Sequence, residues 1–147
     1  MFRFAQRVSV LMAGLVLTLV ATNCGKKADQ TLPPPASTGV VTVTAVEMGR
    51  AVGGDKRVTD KTDEFKPNDV IYASVVTSGT SANSTLKARW TYQDGQVVEE
   101  SEQAIAPTGD AATEFHISKP DGWPAGKYRV EVFLDGSPTQ AKDFTVK

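Results

Sequence analysis

The chain has 147 residues, with 16 lysine and arginine residues against 17 aspartate and glutamate residues, so its formal net charge is -1. Because this balance provides no basic patch, we expect no nucleic-acid partner. One cysteine excludes an internal disulfide and a cysteine-rich zinc site, and one histidine excludes a site with several histidine ligands. The composition indicates one globular domain of ordinary size, for which we expect no metal and no other cofactor.

The N-terminal part of the chain is a basic start followed by an apolar run. Residues 1–7 contain Arg3 and Arg7 and no acid, and residues 8–20 form the 13-residue run VSVLMAGLVLTLV. A secretory signal peptide is built in this way, whereas a membrane span needs about 20 apolar residues. The pattern predicts a signal peptide over residues 1–23, with an uncleaved membrane anchor as the alternative.

The only cysteine, Cys24, directly follows this segment in the sequence ATNC. This placement resembles the lipobox of bacterial lipoproteins, in which the cysteine takes a lipid and becomes the mature N-terminus. The resemblance implies that lipidated Cys24 attaches the protein to the inner or outer membrane of a bacterial cell envelope, since two or three acyl chains anchor a protein stably. Cleavage after Ala21, at an A-x-A-like site, is the alternative.

Residues 24–39 read CGKKADQTLPPPASTG and contain three consecutive prolines, Pro33 to Pro35. Consecutive prolines lack backbone donors and favour an extended spacer over a packed core. We therefore interpret residues 24–39 as a lipidated N-terminus and a Pro-rich linker. The linker holds a domain comprising residues 40–147 away from the membrane.

From residue 40 onward, apolar and polar residues alternate as they do in half-buried strands. The alternation predicts strands near Val43, at residues 70–77, around Trp90, at residues 96–105, around Phe115, around Val130 and at the C-terminus. Residues 49–69 are polar and interrupted by glycine and proline, which predicts a loop. About seven short strands without a helical apolar stripe predict an all-β sandwich or small barrel.

Two Asp-Gly pairs predict turns between neighbouring strands. The pair Asp94-Gly95 predicts a two-residue hairpin turn with positive φ at both positions. The pair Asp135-Gly136 also begins a turn, and Pro138 indicates that this second turn is longer than two residues.

The segment 123–136, WPAGKYRVEVFLDG, resembles the F strand and following hairpin of bacterial immunoglobulin-like domains. Trp90 stands where those domains have a tryptophan on strand C, and Tyr128 precedes Val130 by the spacing of the tyrosine corner before the strand-F cysteine. The resemblance implies an immunoglobulin-like sandwich without a disulfide, with Trp90 and Tyr128 pointing into one core. It also implies that the loops at residues 78–84 and 135–139 share the end where the first strand begins, opposite the Trp123 loop.

Three polar features have a structural and a functional interpretation. His116 alternates with two apolar neighbours and is predicted to be a solvated strand residue. The acids of segment 55–64 alternate with basic residues and match no EF-hand spacing, which favours a solvated loop over a calcium site. The sequence EESE at residues 99–102 predicts protection of a sheet edge, with partner binding as the alternative.

Trp123 is the candidate ligand contact, because it stands between Gly122 and Pro124 in a loop. An exposed ring stacks on a sugar or anchors a partner, whereas a buried ring plugs the end of the sandwich beneath Tyr128. The sequence has no nucleophile elbow, phosphate loop or interpretable pair of catalytic carboxylates. We expect a non-catalytic envelope protein that binds or scaffolds a protein partner. A carbohydrate-binding module that uses an exposed Trp123 is the alternative, and an envelope hydrolase is the third interpretation.

Overall fold

The computed structural model describes residues 39–147, and the regular elements in that part of the chain are all β-strands. Their bounds are β1 Val41–Gly49, β2 Glu64–Phe65, β3 Ile71–Gly79, β4 Ser84–Tyr92, β5 Gln96–Ile105, β6 Ala111–Ile117, β7 Gly126–Leu134 and β8 Ser137–Val146. The all-β prediction is confirmed, with eight strands where about seven were expected. The predicted signal peptide, Cys24 and most of the predicted linker lie outside the described residues.

The strands form two sheets packed face to face. One sheet has the order β1-β3-β6, and the other has the order β2-β8-β7-β4-β5. Every neighbouring pair is antiparallel except β2 with β8. Because successive side chains on a strand point to opposite faces, the alternating apolar residues meet between the sheets. The largest of the fully buried side chains are Trp90, Phe65, Phe115, Ile71 and Leu86.

The register of the strands defines two ends of the sandwich. At the entry end, where β1 begins, Val41 pairs with Gly79, and the β7–β8 turn lies beside the start of β4. At the far end, Ile71 pairs with Ile117, and the backbone N–H of Trp123 donates to the carbonyl of Pro67 at 2.7 Å. The predicted placement of the Trp123 loop opposite the end where β1 begins is therefore confirmed.

The turn at Asp94-Gly95 differs from the prediction. Tyr92 pairs with Gln96, so three residues form the loop between β4 and β5. Positive φ occurs at Gln93 (46°) and Gly95 (96°) and not at Asp94. The two-residue prediction is wrong because the chain reverses over three residues, with positive φ at the first and the third of them, while the backbone N–H of Gln93 still donates to the carbonyl of Lys127 on β7.

The turn at Asp135-Gly136 is shorter than expected. Leu134 pairs with Ser137, and φ is 49° at Asp135 and 81° at Gly136, so this is a two-residue hairpin turn. Pro138 belongs to β8 instead of lengthening the turn. Proline is accommodated there because it lies at the beginning of the strand, next to a register irregularity.

The predicted polar loop at residues 49–69 contains two ordered features. Phe65 is 2% exposed, and its burial accompanies the short parallel pairing of β2 with the C-terminal end of β8. Residues 50–61, which we call the strap, form a hairpin in which Val52 bridges Val58. The loop prediction is therefore wrong for these parts of the segment.

The strap lies over the outer face of the three-stranded sheet. Lys61 of the strap pairs with Glu47 on β1 at 2.5 Å, and Lys56 pairs with Glu114 on β6 at 3.3 Å. Val58 is 7% exposed, and a Cβ added at Gly49 would lie 2.4 Å from its Cγ1. The strap therefore packs directly on the glycine at the end of β1 and crosses the sheet to its opposite strand.

Candidate functional site

The residues that carry the fold resemblance meet in the core. Trp90 is 0% exposed and Tyr128 is 3% exposed, and both rings pack against Phe144 with centroid distances of 5.9 and 5.2 Å. The Tyr128 hydroxyl donates to the carbonyl of Pro124 at 2.8 Å, which is the hydrogen bond of a tyrosine corner. Burial, together with the nearby Tyr92, raises the pKa of Tyr128. The prediction that Trp90 and Tyr128 share one core is confirmed.

Trp123 is a buried residue at the far end of the sandwich. It is 6% exposed, and its ring packs edge-on against Tyr128 with the centroids 6.2 Å apart. Its Nε1 has no hydrogen-bond partner among the described residues. This arrangement agrees with the interpretation of Trp123 as a plug. It contradicts the carbohydrate-binding alternative, which needs an exposed ring. The ring is buried because its large apolar area covers the open end of the core.

Cys24 and its neighbours lie outside the described residues, so lipidation stays a prediction. The described chain begins at Gly39, next to Thr80 at the entry end. A linker that precedes Gly39 therefore joins the domain at that end. In residues 39–147 there is no helix of the length and apolar character needed to cross a bilayer.

The acidic residues of segment 55–64 are distributed along the strap and β2. Asp60 lies 3.7 Å from Arg50, and Glu64 lies 2.5 Å from Lys147. A carboxylate oxygen of Asp55 accepts the backbone N–H two residues further on. Across residues 39–147 no three or more His, Cys, Asp or Glu side chains are arranged to hold a metal ion. These carboxylates instead pair with nearby cations and backbone donors.

His116 points away from the core, as its alternation with two apolar neighbours predicts. Its Nδ1 lies 2.5 Å from a carboxylate oxygen of Glu114, and its ring lies 5.3 Å from that of Tyr72. Burial acts to raise the pKa of Glu114, but the hydrogen bonds from His116 and Lys56 outweigh burial, so this pKa lies below its usual value. Glu114 therefore joins the tip of the strap to β6 as an ionised carboxylate.

A shallow groove of about 700 Å³ lies on the outer face of the five-stranded sheet. We call the outer face of the five-stranded sheet the charged face. Its groove is lined by outward side chains of the central strands and of β8, among them Arg89, Thr91, Lys127, Arg129, Asp143 and Thr145. Along each strand these residues alternate with the buried ones, because strand residues point alternately to the core and to solvent.

Basic and acidic residues are interspersed on the charged face: on the central strands Glu131 lies opposite Arg89 and 3.8 Å from Arg129, and further acids lie on the flanking strands. Arg89 on β4 binds Glu100 on β5 at 2.5 Å, and Arg129 on β7 binds Asp143 on β8 at 2.9 Å. The hydrogen bond from Arg89 lowers the pKa of Glu100 and keeps it ionised. The Arg89 guanidinium also lies 5.1 Å from the ring centroid of Phe133. The face therefore presents cations whose side chains are held in place by neighbours on adjacent strands.

The alternation of residues 86–92 and 127–134 already indicated which side chains point outward. It could not indicate the ion pairs, because Arg89 and Arg129 lie on adjacent strands and each pairs with a different flanking strand. The missing information was the strand order. No signal in the sequence marked the strap as a cover for the opposite sheet.

No protein-family model matches the chain, and no curated protein is significantly similar to it. Among solved structures, an immunoglobulin-like protein from Pseudomonas aeruginosa superposes with a TM-score of 0.53 at 16% identity, over 76% of this chain and 99% of that chain. The likeness concerns the fold alone, because one fold supports many functions.

Two further solved structures are similar at TM-scores below 0.5 and add nothing to the assignment. The CARDB domain of a Pyrococcus furiosus protein gives 0.44 at 14% identity, over 76% of this chain and 90% of that chain. A β-glucosidase from Listeria innocua gives 0.46 at 8% identity, over 74% of this chain and 16% of that chain. The two packed sheets, the tyrosine corner and the Pseudomonas aeruginosa structure together assign the described part of the chain as an immunoglobulin-like β-sandwich without a disulfide.

Proposed function

We propose that the chain is a lipid-anchored protein of the bacterial cell envelope whose immunoglobulin-like domain binds or scaffolds a protein partner and catalyses no reaction. The observation that carries partner binding is the charged face, with its groove and its ordered cations. The basic start, the short apolar run and the position of Cys24 support the anchor.

The geometry of the domain fits a protein that a lipid and a linker hold at the membrane. The described chain starts at the entry end, so the lipid and the linker are attached on that side. The charged face runs along the side of the sandwich, from the entry end to the far end. A partner in the same envelope compartment therefore has access to it while the lipid stays in the membrane. Acyl chains contribute about 0.8 kcal/mol for each buried methylene group, so a diacylated cysteine holds this arrangement stably.

The charged face has a suitable size for a specific protein contact. Four long strands about 4.8 Å apart, each nine or ten residues in length, present an area of about 600 Å². A standard interface buries about 800 Å² on each partner, so most of one side of such an interface fits on this face. The fixed pattern of interspersed cations and anions also sets the orientation of a partner of complementary charge.

Site-specific photocrosslinking in native membranes tests this function. A photoreactive amino acid at Lys127, on the charged face, is compared with the same amino acid at Lys66, which is exposed near the far end. We expect one adduct of defined mass from Lys127 and none from Lys66. The substitution Arg129→Glu should abolish that adduct, whereas Lys66→Glu should preserve it.

The opposite pattern contradicts the proposal. Equal adducts from both positions show that crosslinking reports proximity in the envelope and not binding at the charged face. An adduct at Lys127 that survives Arg129→Glu shows that the ordered cations do not contribute. Circular dichroism of the purified variants confirms in each case that the domain has kept its fold.

A further inference from the structure

The two central strands of the charged face carry different groups at matching positions. The register pairs the outward residues of β4 with those of β7: Arg89 with Glu131, Lys87 with Phe133 and Thr91 with Arg129. None of these pairs joins two like charges. A two-fold axis between β4 and β7, parallel to both strands, would place each of these β4 residues over its β7 register partner in a second copy. Two copies joined in this way would therefore bring no like charges together at the axis.

We propose that the charged face binds the charged face of a second copy of this chain, through a two-fold axis parallel to β4 and β7. Arg89 of each copy binds Glu131 of the other copy, so that two equivalent ion pairs flank the axis. This inference rests on the proposed function, because it names the protein that occupies the charged face.

The groups next to the axis have binding capacity left in the single copy. Glu131 lies 3.8 Å from Arg129, which is longer than a hydrogen bond, and its side chain is 37% exposed. The hydrogen bond from Arg89 to Glu100 uses the Nε atom. A guanidinium also carries donors on both Nη atoms, so Arg89 can bind a second carboxylate at the same time.

Phe133 supplies an apolar contact beside these ion pairs. Its ring is half-buried under Lys87 and Arg89 of its own chain. In the proposed pairing the Lys87 side chain of the second copy lies over Phe133, and the aliphatic part of a lysine covers apolar surface while its ammonium group stays in water. The contact would therefore remove more of the exposed area of Phe133 from water.

The charge of the whole face favours a second copy over a partner of one sign. The outward cations of the four long strands are Lys87, Arg89, Lys127 and Arg129. Their outward anions are equal in number and are Glu100, Glu102, Glu131 and Asp143. A strongly basic or strongly acidic partner would meet like charges on such a face, which costs affinity. In the proposed pairing β5 lies over β8, and each of their anions meets an uncharged residue: Glu100 meets Ala141, Glu102 meets Pro138 and Asp143 meets Val97.

The area and the orientation fit two copies in one membrane. About 600 Å² on each copy gives about 1,200 Å² in total, which is the lower end of specific interfaces. Face-to-face sheets keep their strands within about 30° of each other, so the register pairs stay opposed near the axis. Because the axis is parallel to the strands, both entry ends lie on the same side, and both linkers reach the same membrane. Attachment there raises the effective concentration of one copy around the other.

Exchange of the two charges tests the proposal. Sedimentation of the full mature chain with Cys24→Ser measures self-association without any lipid, and we expect a dissociation constant of about 0.1 mM. Arg89→Glu and Glu131→Arg should each weaken self-association at least tenfold, since each opposes like charges on both sides of the axis. A mixture of these two variants should associate as the parent chain does, because both ion pairs are then restored with reversed sign.

The mixture also excludes misfolding as the cause, since a misfolded variant would not regain a partner. Lys66→Glu is the matched control for a reversed charge outside the charged face, and it should leave self-association unchanged. In native membranes, the adduct from a photoreactive amino acid at Lys127 should have the mass of two copies.

Three results would overturn the inference. The first is a mixture of Arg89→Glu and Glu131→Arg that stays monomeric. The second is normal self-association of Arg89→Glu with rescue of Glu131→Arg by Arg129→Glu, which would show an axis across the strands and entry ends on opposite sides. The third is no self-association at about 1 mM chain. With an adduct of another mass at Lys127, this third result would leave the proposed function intact, and with no adduct it would overturn both.

Discussion

Replacement of Trp90 by alanine tests whether the sandwich depends on packing at this strand instead of a disulfide. Trp90 is 0% exposed and packs edge-on against Phe144 with centroids 5.9 Å apart. Truncation of a fully buried tryptophan costs about 3–5 kcal/mol, from lost transfer energy and the cavity that remains. A domain of this size has a free energy of unfolding of about 5–15 kcal/mol, so Trp90→Ala removes a large share of it.

Urea denaturation followed by circular dichroism measures this loss. With a slope of about 1.5 kcal/mol per molar urea, the midpoint should fall by about 2–3 M. Trp90→Phe is the matched control, because it keeps a ring in the core and removes an Nε1 that has no hydrogen-bond partner within residues 39–147, and it should cost less than the alanine variant. A Trp90→Ala protein within about 0.5 kcal/mol of wild type would behave like a surface variant and would refute the assigned core.

Three further predictions concern single contacts. Tyr128→Phe removes only the tyrosine-corner hydrogen bond and should lower the free energy of unfolding by about 1 kcal/mol in urea titrations. Gly49→Ala places a Cβ 2.1 Å from the backbone of the strap and should destabilise the domain and speed amide exchange in the strap, whereas Gly54→Ala, with open space around it, should change neither. Because the pKa of Glu114 is lowered in the folded protein, its ion pairs stabilise the domain above the usual value of 4.5 and are lost as the pH falls through the folded pKa. Glu114→Gln should therefore flatten the pH dependence of the urea midpoint in the acid range.

Strict alternation made the buried face of the central strands predictable from the sequence. In β4 and β7 every second residue is apolar, so the inward direction of Trp90 and Tyr128 follows from the period of a strand. The edge position of β5 was predictable for a related reason. Its acidic run at residues 99–102 is typical of strands that must avoid pairing with another chain, and β5 is the last strand of its sheet.

Features that depend on contacts between distant segments could not be predicted. Phe65 is a single apolar residue in a polar segment, and it becomes core only because β2 pairs with the C-terminal strand. The strap reaches β6 through the contact of Lys56 with Glu114, which is 58 residues away. For the same reason the sequence could not decide whether Trp123 is buried or exposed. Its backbone N–H donates to the carbonyl of Pro67, which lies far away in the sequence.

The intact mass of the protein purified from native membranes tests the central claim, that this sandwich is displayed on a lipid anchor. We predict a chain that lacks residues 1–23 and carries diacylglyceryl and acyl groups on Cys24. The Cys24→Ala variant should keep its signal segment or leave the membrane fraction. A mature chain with an unmodified Cys24, or one that begins at another residue, would contradict the account.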